Sequence, residues 1–433
     1  MAFPPQGVSF SVYSNSEGIV YCNALDAEPL ALRNSAILGS ATDTVPGPIF
    51  NSKFSISVRE LVMDITPYLH LMIEKSASDL FFSTGAPVNV KIEGISRPVD
   101  KNMLAPGAVK KLAYSIMTDD QIAEFEETME MNLAISARNM GRFRVNVYRQ
   151  RGEVAMVVRY IKGIIPTLEE LCLPAVLKSL VMEPRGLIVV VGATGSGKST
   201  TLASMVDFRN ANKTGHIVTI EDPIEFIHRH KMSIVDQREI GLDTLSYSNA
   251  LKNALREAPD VILVGEVRDR EAMQHALMLS ETGHLCLTTL HASNANQALD
   301  RILNFFPEAA HQQLLLDLSF NMRAIISQRL VVSTDGSRSP AVEVLLNSPY
   351  ISDLIQKGEI DSIREAMEQS GEQGMQTFDQ ALYALYKAGR IGLKEALDNA
   401  DSRNNLGLRI RLSEGGKESP LDISIGRETF KYD

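Results

Sequence analysis

The hydrophobic pattern changes character along the chain, and each change marks a part. Residues 1–62 are rich in Ser, Asn, Pro and Gly and hold no sustained period. Ser9–Tyr13 has strand character, but turn formers interrupt such runs, so the segment reads as a weakly ordered extension. It also reads as sequence upstream of a native start at Met63, where Ile65, Leu69, Met72 and Ile73 begin to recur at helical spacing. Residues 63–165 predict a small α+β domain. Within it, Ser78–Ser83 and Val88–Gly94 form strands about a turn at Gly85–Pro87. Gly107–Met117 and Thr118–Thr128 form helices, the second capped by Thr118 or Asp119. Gly141–Ile161 alternates and turns at Arg151–Gly152, the pattern of a hairpin. Residues 166–184 read as a linker carrying one helix.

From 185 to 330 the pattern switches to short, wholly apolar strands alternating with helices: GLIVVVG, HIVTIED, DVILVGE and HLCLTTLH. Strands without a polar face predict a parallel sheet covered on both sides, hence an α/β core. Residues 331–400 read as a helical subdomain and 401–433 as a polar tail.

The candidate chemistry sits where these strands end. Gly192, Ala193, Thr194, Gly195, Ser196, Gly197, Lys198 and Ser199 match G-x-x-x-x-G-K-[ST] in full, between a strand and a helix that continues through Thr200. Glycines let backbone N–H groups wrap phosphates, a lysine reaches the β/γ-phosphates, and a serine hydroxyl suits Mg²⁺. The expected cofactors are therefore ATP and Mg²⁺; the bland alternative is a glycine-rich turn. Glu266 ends an apolar strand, where a carboxylate holds a magnesium-bound water or merely faces solvent. Glu221, Asp222 and Glu225 crowd the end of another strand. Three acids beside a triphosphate repel it unless a metal or an attacking water needs them. His284 and His291 flank HLCLTTLH, as phosphate sensors or as structural residues. Arg142, Arg144, Arg149, Arg151 and Arg159 crowd the hairpin ahead of the core, as a solvated face or as fingers reaching a neighbour's nucleotide.

Composition narrows the classes. The 433 residues carry a net charge of −10, which argues against a nucleic-acid partner and a DNA motor. Cys22, Cys172 and Cys286 are far apart and form no CxxC pair, so neither a disulfide framework nor a four-thiolate zinc site is expected, and a reducing interior fits. No run approaches the roughly 20 apolar residues of a membrane span, and no signal peptide is expected.

Taken in order, GATGSGKSTTLASM, IVTIEDPIEFIH, ALREAPDVILVGEVRD, ETGHLCLTTLHASNANQALDRI and GMQTFDQAL resemble five boxes of the secretion-type hexameric ATPases of bacteria. These are their Walker A, Asp box, Walker B, His box and C-terminal motif. Within that group they resemble the type IV pilus retraction ATPases, the PilT/PilU family, over about residues 63–390. The resemblance implies a PAS-like N-terminal domain, a RecA-like core and a cytoplasmic homohexamer working peripherally at the inner membrane. It implies Glu225 as catalytic base, Glu266 as the acid near Mg²⁺, His284 and His291 as His-box residues, and Arg144 and Arg159 as arginines reaching the adjacent subunit's nucleotide. It also implies an inner-membrane platform protein as a partner. The related extension ATPases carry a tetracysteine motif that this chain lacks. The segment AIRNLIRE of PilT-like members is YISDLIQK here, Tyr350–Lys357, and TTLHASNANQALDR looks more like PilU. The expectation is an accessory retraction motor beside a PilT-like ATPase. The alternative is a nucleotide-gated interaction subunit with little turnover.

Overall fold

The structure is a computed structural model that describes residues 9–14, 20–25, 64–92, 94–137, 140–161, 163–370 and 374–413. It forms two units, Met1–Arg59 and Glu60–Asp433. In the first, β1 (Ser9–Ser14) and β2 (Val20–Leu25) pair antiparallel, Ser9 opposite Leu25. The strand character expected of Ser9–Tyr13 is thus present, beside a second strand. The remainder of the expected extension lies outside the described residues.

The second unit opens with a six-stranded antiparallel sheet. Its members are β3 (Asp79–Phe82), β4 (Asn89–Ile92), β5 (Ile95–Pro98), β6 (Glu130–Ala137), β7 (Gly141–Gln150) and β8 (Glu153–Ile161), in the order β5-β4-β3-β8-β7-β6. The alternation in β7 buries Phe143, Val145 and Val147, and β8 answers with Val154, Met156 and Val158. Two residues join these strands. Arg151 and Gly152 both have positive φ, 52° and 80°, which matches the right-handed twist of a tight hairpin. Helices α1 (Thr66–Glu74), α2 (Ala108–Tyr114) and α3 (Asp119–Thr128) supply Leu69, Met72, Leu112 and Phe125 to the same core. Thr118 caps α3 in a reciprocal box with Gln121.

The linker segment carries α4 (Val176–Val181), and it is docked. Arg209, itself buried, donates from Nη1 to the Val181 and Glu183 carbonyls at 2.7 and 2.9 Å. These bonds satisfy the carbonyls at the end of a short helix.

The core sheet contains β9 (Gly186–Val191), β10 (Gly215–Glu221), β11 (Ser233–Glu239), β12 (Val261–Val264), β13 (Leu285–Leu290), β14 (Met322–Val332) and β15 (Arg338–Leu346). Their order is β11-β10-β12-β13-β9-β14-β15, all parallel except β15. Every residue of β9, β12 and β13 is buried, because helices cover both faces. One side packs α6 (Tyr247–Ala254), α7 (Arg270–Glu281), α8 (Ala295–Asn304) and α9 (His311–Asn321). On the other side α5 (Lys198–Asn212) and α4 cover the sheet.

Two expected boundaries move. The sheet does not stop at 330, since β14 and β15 make an antiparallel pair that extends it to Leu346. Pro340 concealed β15, but β15 is the edge strand, where a missing N–H donor is tolerated. After it come α10 (Pro349–Lys357), α11 (Ile363–Gln369), α12 (Phe378–Lys387), α13 (Leu393–Asp398) and α14 (Arg403–Ser413). The packed fold also runs past 400: Leu406 and Ile410 of α14, one turn apart, are buried with Phe378 and Leu382. Arg and Asn around them disguised that pair as tail.

Candidate active site

The parallel strands end together, and their C-terminal ends carry the acids and the glycine loop. β9 runs straight into Gly192, and α5 begins at Lys198. Gly192 has no room for a side chain: a Cβ there would meet Ser196 Oγ at 2.4 Å and the Gln328 carbonyl at 2.5 Å. At Gly197, φ +92°, it would meet Gln328 Nε2 at 2.7 Å. Glycine is therefore required at both positions, where the backbone passes too close to Ser196 and Gln328 for any side chain. Gln328 braces it, accepting from Thr201 Oγ1 at 2.7 Å. Lys198 Nζ donates to the Gly192 and Ala193 carbonyls at 2.9 and 3.0 Å, and burial lowers its pKa.

A cavity of about 210 Å³ faces this loop. It is lined by Lys198, Ser199, Glu221, Glu225, Glu266 and His291, so residues far apart in sequence converge there. Thr194 and Gly195 also face it. Gly192, Ala193 and Ser196 face a second cavity behind the loop, of about 330 Å³, and Gly197 and Thr200 face a third, of about 200 Å³.

Glu266 follows β12 by two residues and engages both oxygens. His291 Nε2 stands 3.1 Å from Oε1, and Arg268 Nε donates to Oε2 at 2.8 Å. Arg268 also reaches Asp222 at 3.5 Å. Glu221 is half-buried and accepts from Thr219 Oγ1 at 2.7 Å and Gln237 Nε2 at 3.2 Å. Burial outweighs those bonds and pushes its pKa up to about 7. Burial, then the charge of Asp222, raises the Tyr247 phenol.

The expected residues do not all converge. His284 lies before β13 and His291 after it, so six strand residues at about 3.3 Å each separate them. His284 sits at the N-terminal end of β13, where its carbonyl accepts from Gly186 and its ring meets the Leu279 carbonyl at 3.1 Å. The structure therefore gives His284 a strand-entry position, away from the phosphate side. Arg144 and Arg159 are cross-strand neighbours in the N-terminal sheet and do not line the cavity facing the loop. Arg159 Nε pairs with buried Asp79 at 2.7 Å, and Arg144 Nε stands 3.8 Å from buried Glu239. Glu239 also accepts from Ile224 N in the acidic loop at 3.4 Å, so Arg144 touches that loop's support.

With this geometry described, the similarities of the chain can be stated. Residues 57–406 match the family described as type II/IV secretion system protein. The chain belongs to this family. The type IV pilus ATPase PilU of Pseudomonas aeruginosa is 54% identical, covering 83% of this chain and 94% of PilU. The type IV pilus retraction ATPase PilT of the same organism is 41% identical, covering 79% of this chain and all of PilT. A crystal structure of the pilus retraction motor PilT with bound ADP matches with a TM-score of 0.75 and 42% identity, over 80% of this chain and 99% of that one. This secretion ATPase is thus of the PilT/PilU type, with an N-terminal α+β domain ahead of a RecA-like core.

Within the family site, three residues were not among the sequence-based candidates. Arg268 is two residues beyond Glu266, and that adjacency to a strand-end acid was the available signal. Tyr247 leans over Gly265, where an added Cβ would lie 2.9 Å from its hydroxyl; no motif marks it. His228 lines the cavity, buried, with its pKa lowered to about 4 by burial and Nδ1 without a partner. Among the described residues there is no group of three or more His, Cys, Asp or Glu that would hold a metal by itself. The Ser199 hydroxyl and Glu266 carboxylate are oxygen donors of the kind Mg²⁺ takes while keeping most of its waters and phosphate ligands.

The raised Glu221 pKa has a sign that can be tested. Below its ordinary value of 4.5 the folded and unfolded chains both hold the proton. Between 4.5 and about 7 the unfolded chain has released it and the folded chain has not, so this group lowers stability as pH rises through that window. Above it the loss is complete. Glu221→Gln removes the titration, so its thermal midpoint relative to wild type should rise from about pH 5 to about pH 8. A pH-independent difference would contradict the assignment.

Proposed function

We propose that this chain is an ATP-hydrolysing motor for type IV pilus retraction that works beside a PilT-like ATPase. The observation that carries the proposal is the convergence of Lys198, Ser199, Glu225, Glu266 and His291 on one cavity facing the glycine-rich loop. ATP phosphates fit the Gly192–Ser199 backbone, whose N–H groups open at the start of α5. Lys198, held by two loop carbonyls, exchanges them for the β/γ-phosphates. Ser199 and Glu266 would hold Mg²⁺, which when bound neutralises phosphate charge. Glu225 accepts a proton from the attacking water, and His291, already against Glu266, reports on the γ-phosphate.

Arg144 and Arg159 supply charge to a neighbouring subunit's nucleotide, with six copies making the ring. A chain carrying Arg144→Ala mixed with one carrying Lys198→Ala should recover part of the turnover, since mixed rings contain intact composite sites. No recovery under demonstrated subunit exchange would contradict shared sites.

Coupling to the pilus is where the chain departs from PilT. In α10 the Ser352 hydroxyl donates to the Ser319 carbonyl at 2.8 Å, and Lys357 pairs with Asp353 at 2.6 Å. Ser352, Gln356 and Lys357 replace two arginines and a glutamate, which removes charge-assisted contacts without touching the phosphate site. The working place is cytoplasmic, peripheral at the inner-membrane platform; among the described residues no helix is long and apolar enough to cross a membrane. The experiment is genetic. With the PilT-like partner deleted, retraction should be weak or absent. With the partner present but catalytically dead, this chain should restore retraction. Full retraction alone would contradict the accessory role, and no rescue beside the dead partner would contradict the motor.

A further inference from the structure

Arg329 follows Ser327, which pairs with Val191 at the end of the strand that carries the glycine loop. Its side chain is about three-quarters buried, at 26% exposure, and lines the cavity behind that loop. Both terminal nitrogens of the guanidinium are engaged. Nη1 donates to the Asn399 carbonyl at 2.9 Å. Nη2 pairs with Asp401 at 2.7 Å and donates to the Ser293 carbonyl at 3.4 Å. Its carbon stands 3.8 Å from the ring centroid of Phe378.

These partners belong to two different devices. Ser293 lies in the short loop between β13 and α8, whose first residue, His291, contacts Glu266. The same loop is pinned at its other end, where Ala295 N donates to Glu343 at 2.7 Å. Phe378 begins α12 in the C-terminal subdomain. Its neighbour Asp379 accepts from the Asp401 backbone at 2.8 Å and from Arg364 at 3.1 Å. Asp401, which Arg329 pairs with, is thereby fixed to α12 as well.

We infer that Arg329 is a positioning residue that transmits the position of the His291 loop to the start of α12. The inference rests on the reading of the site as an ATP site. A shift of the Ser293 carbonyl, as His291 answers a phosphate, acts on the stacked and paired planar cation through the bond from Nη2. If the 3.4 Å bond to Ser293 holds, the Phe378 ring moves with the cation or the 2.7 Å Asp401 pair is broken, and breaking a largely buried pair is costly. A lysine keeps the charge for Asp401 but cannot span two carbonyls and a ring together.

The test is amide hydrogen exchange over α12 in the full-length chain, with and without a non-hydrolysable ATP analogue and Mg²⁺, alongside analogue binding and thermal midpoints. Wild type should show exchange over Phe378–Lys387 altered by about fivefold or more on binding. Arg329→Lys should bind the analogue yet lose that response. Phe378→Leu, which keeps an apolar residue in the core, should lose it also and guards against a variant that merely unfolds. A full response in both folded variants would overturn the inference, as would wild type that binds the analogue without any response at α12. Wild type that does not bind the analogue would overturn the ATP site itself and this inference with it.

Discussion

Lys198→Ala should lower ATP turnover by about 10²- to 10³-fold or more, the range set by removing one preorganised charge donor from a reacting phosphate. The structure explains why the loss is local. Lys198 sits at the first position of α5, and its ammonium bonds only the two loop carbonyls it must leave when phosphate arrives. Deleting it removes no packing from the sheet, since the side chain points into the cavity and not into either face of the core. Phosphate release measured at saturating Mg-ATP reads the effect. A thermal midpoint close to wild type shows that the fold persists. Turnover above a tenth of wild type would contradict the role of Lys198.

Glu225→Gln should separate binding from chemistry. The amide keeps the shape of the side chain but accepts no proton, so nucleotide affinity should persist while hydrolysis falls by about 10²- to 10⁴-fold. The other three acids of the cavity are poorly placed to replace it, and one of them, Asp222, stands 3.5 Å from Arg268. Glu266 is engaged on both oxygens by His291 and Arg268, and Glu221 is half-buried with its pKa pushed up to about 7. Unchanged hydrolysis in Glu225→Gln would transfer the role to one of them, and the pH profile would identify which. A rate that rises through about pH 7 is expected of Glu221 acting as base.

Much of this site was legible because its parts are local. A valine run, a glycine loop and a helix start lie within fourteen residues, Gly186–Ser199, and the chemistry of phosphate binding demands that order. Glu266 was legible as an acid that ends an apolar strand. What the sequence concealed depends on direction and distance. His284 and His291 flank the same strand symmetrically in sequence, yet strand polarity sends only the second to the nucleotide side. Arg144 looks like a surface arginine until β7 brings it to Glu239 beneath the acidic loop. Tyr247 lies in no motif and His228 only closes the Asp box, so tertiary packing is what places them on the cavity wall. β15 was hidden for a different reason: Pro340 argues against a strand, but an edge position removes the objection.

The measurement that bears most directly on the central claim is steady-state phosphate release by the purified, assembled chain, with Mg²⁺ and ATP present. The claim predicts continuous release that requires both and falls at least about a hundredfold in Lys198→Ala and in a Glu225→Gln chain that still binds nucleotide. Release no greater than that of Lys198→Ala, from an assembled wild-type chain with nucleotide bound, would contradict it and leave a nucleotide-gated subunit in place of a motor.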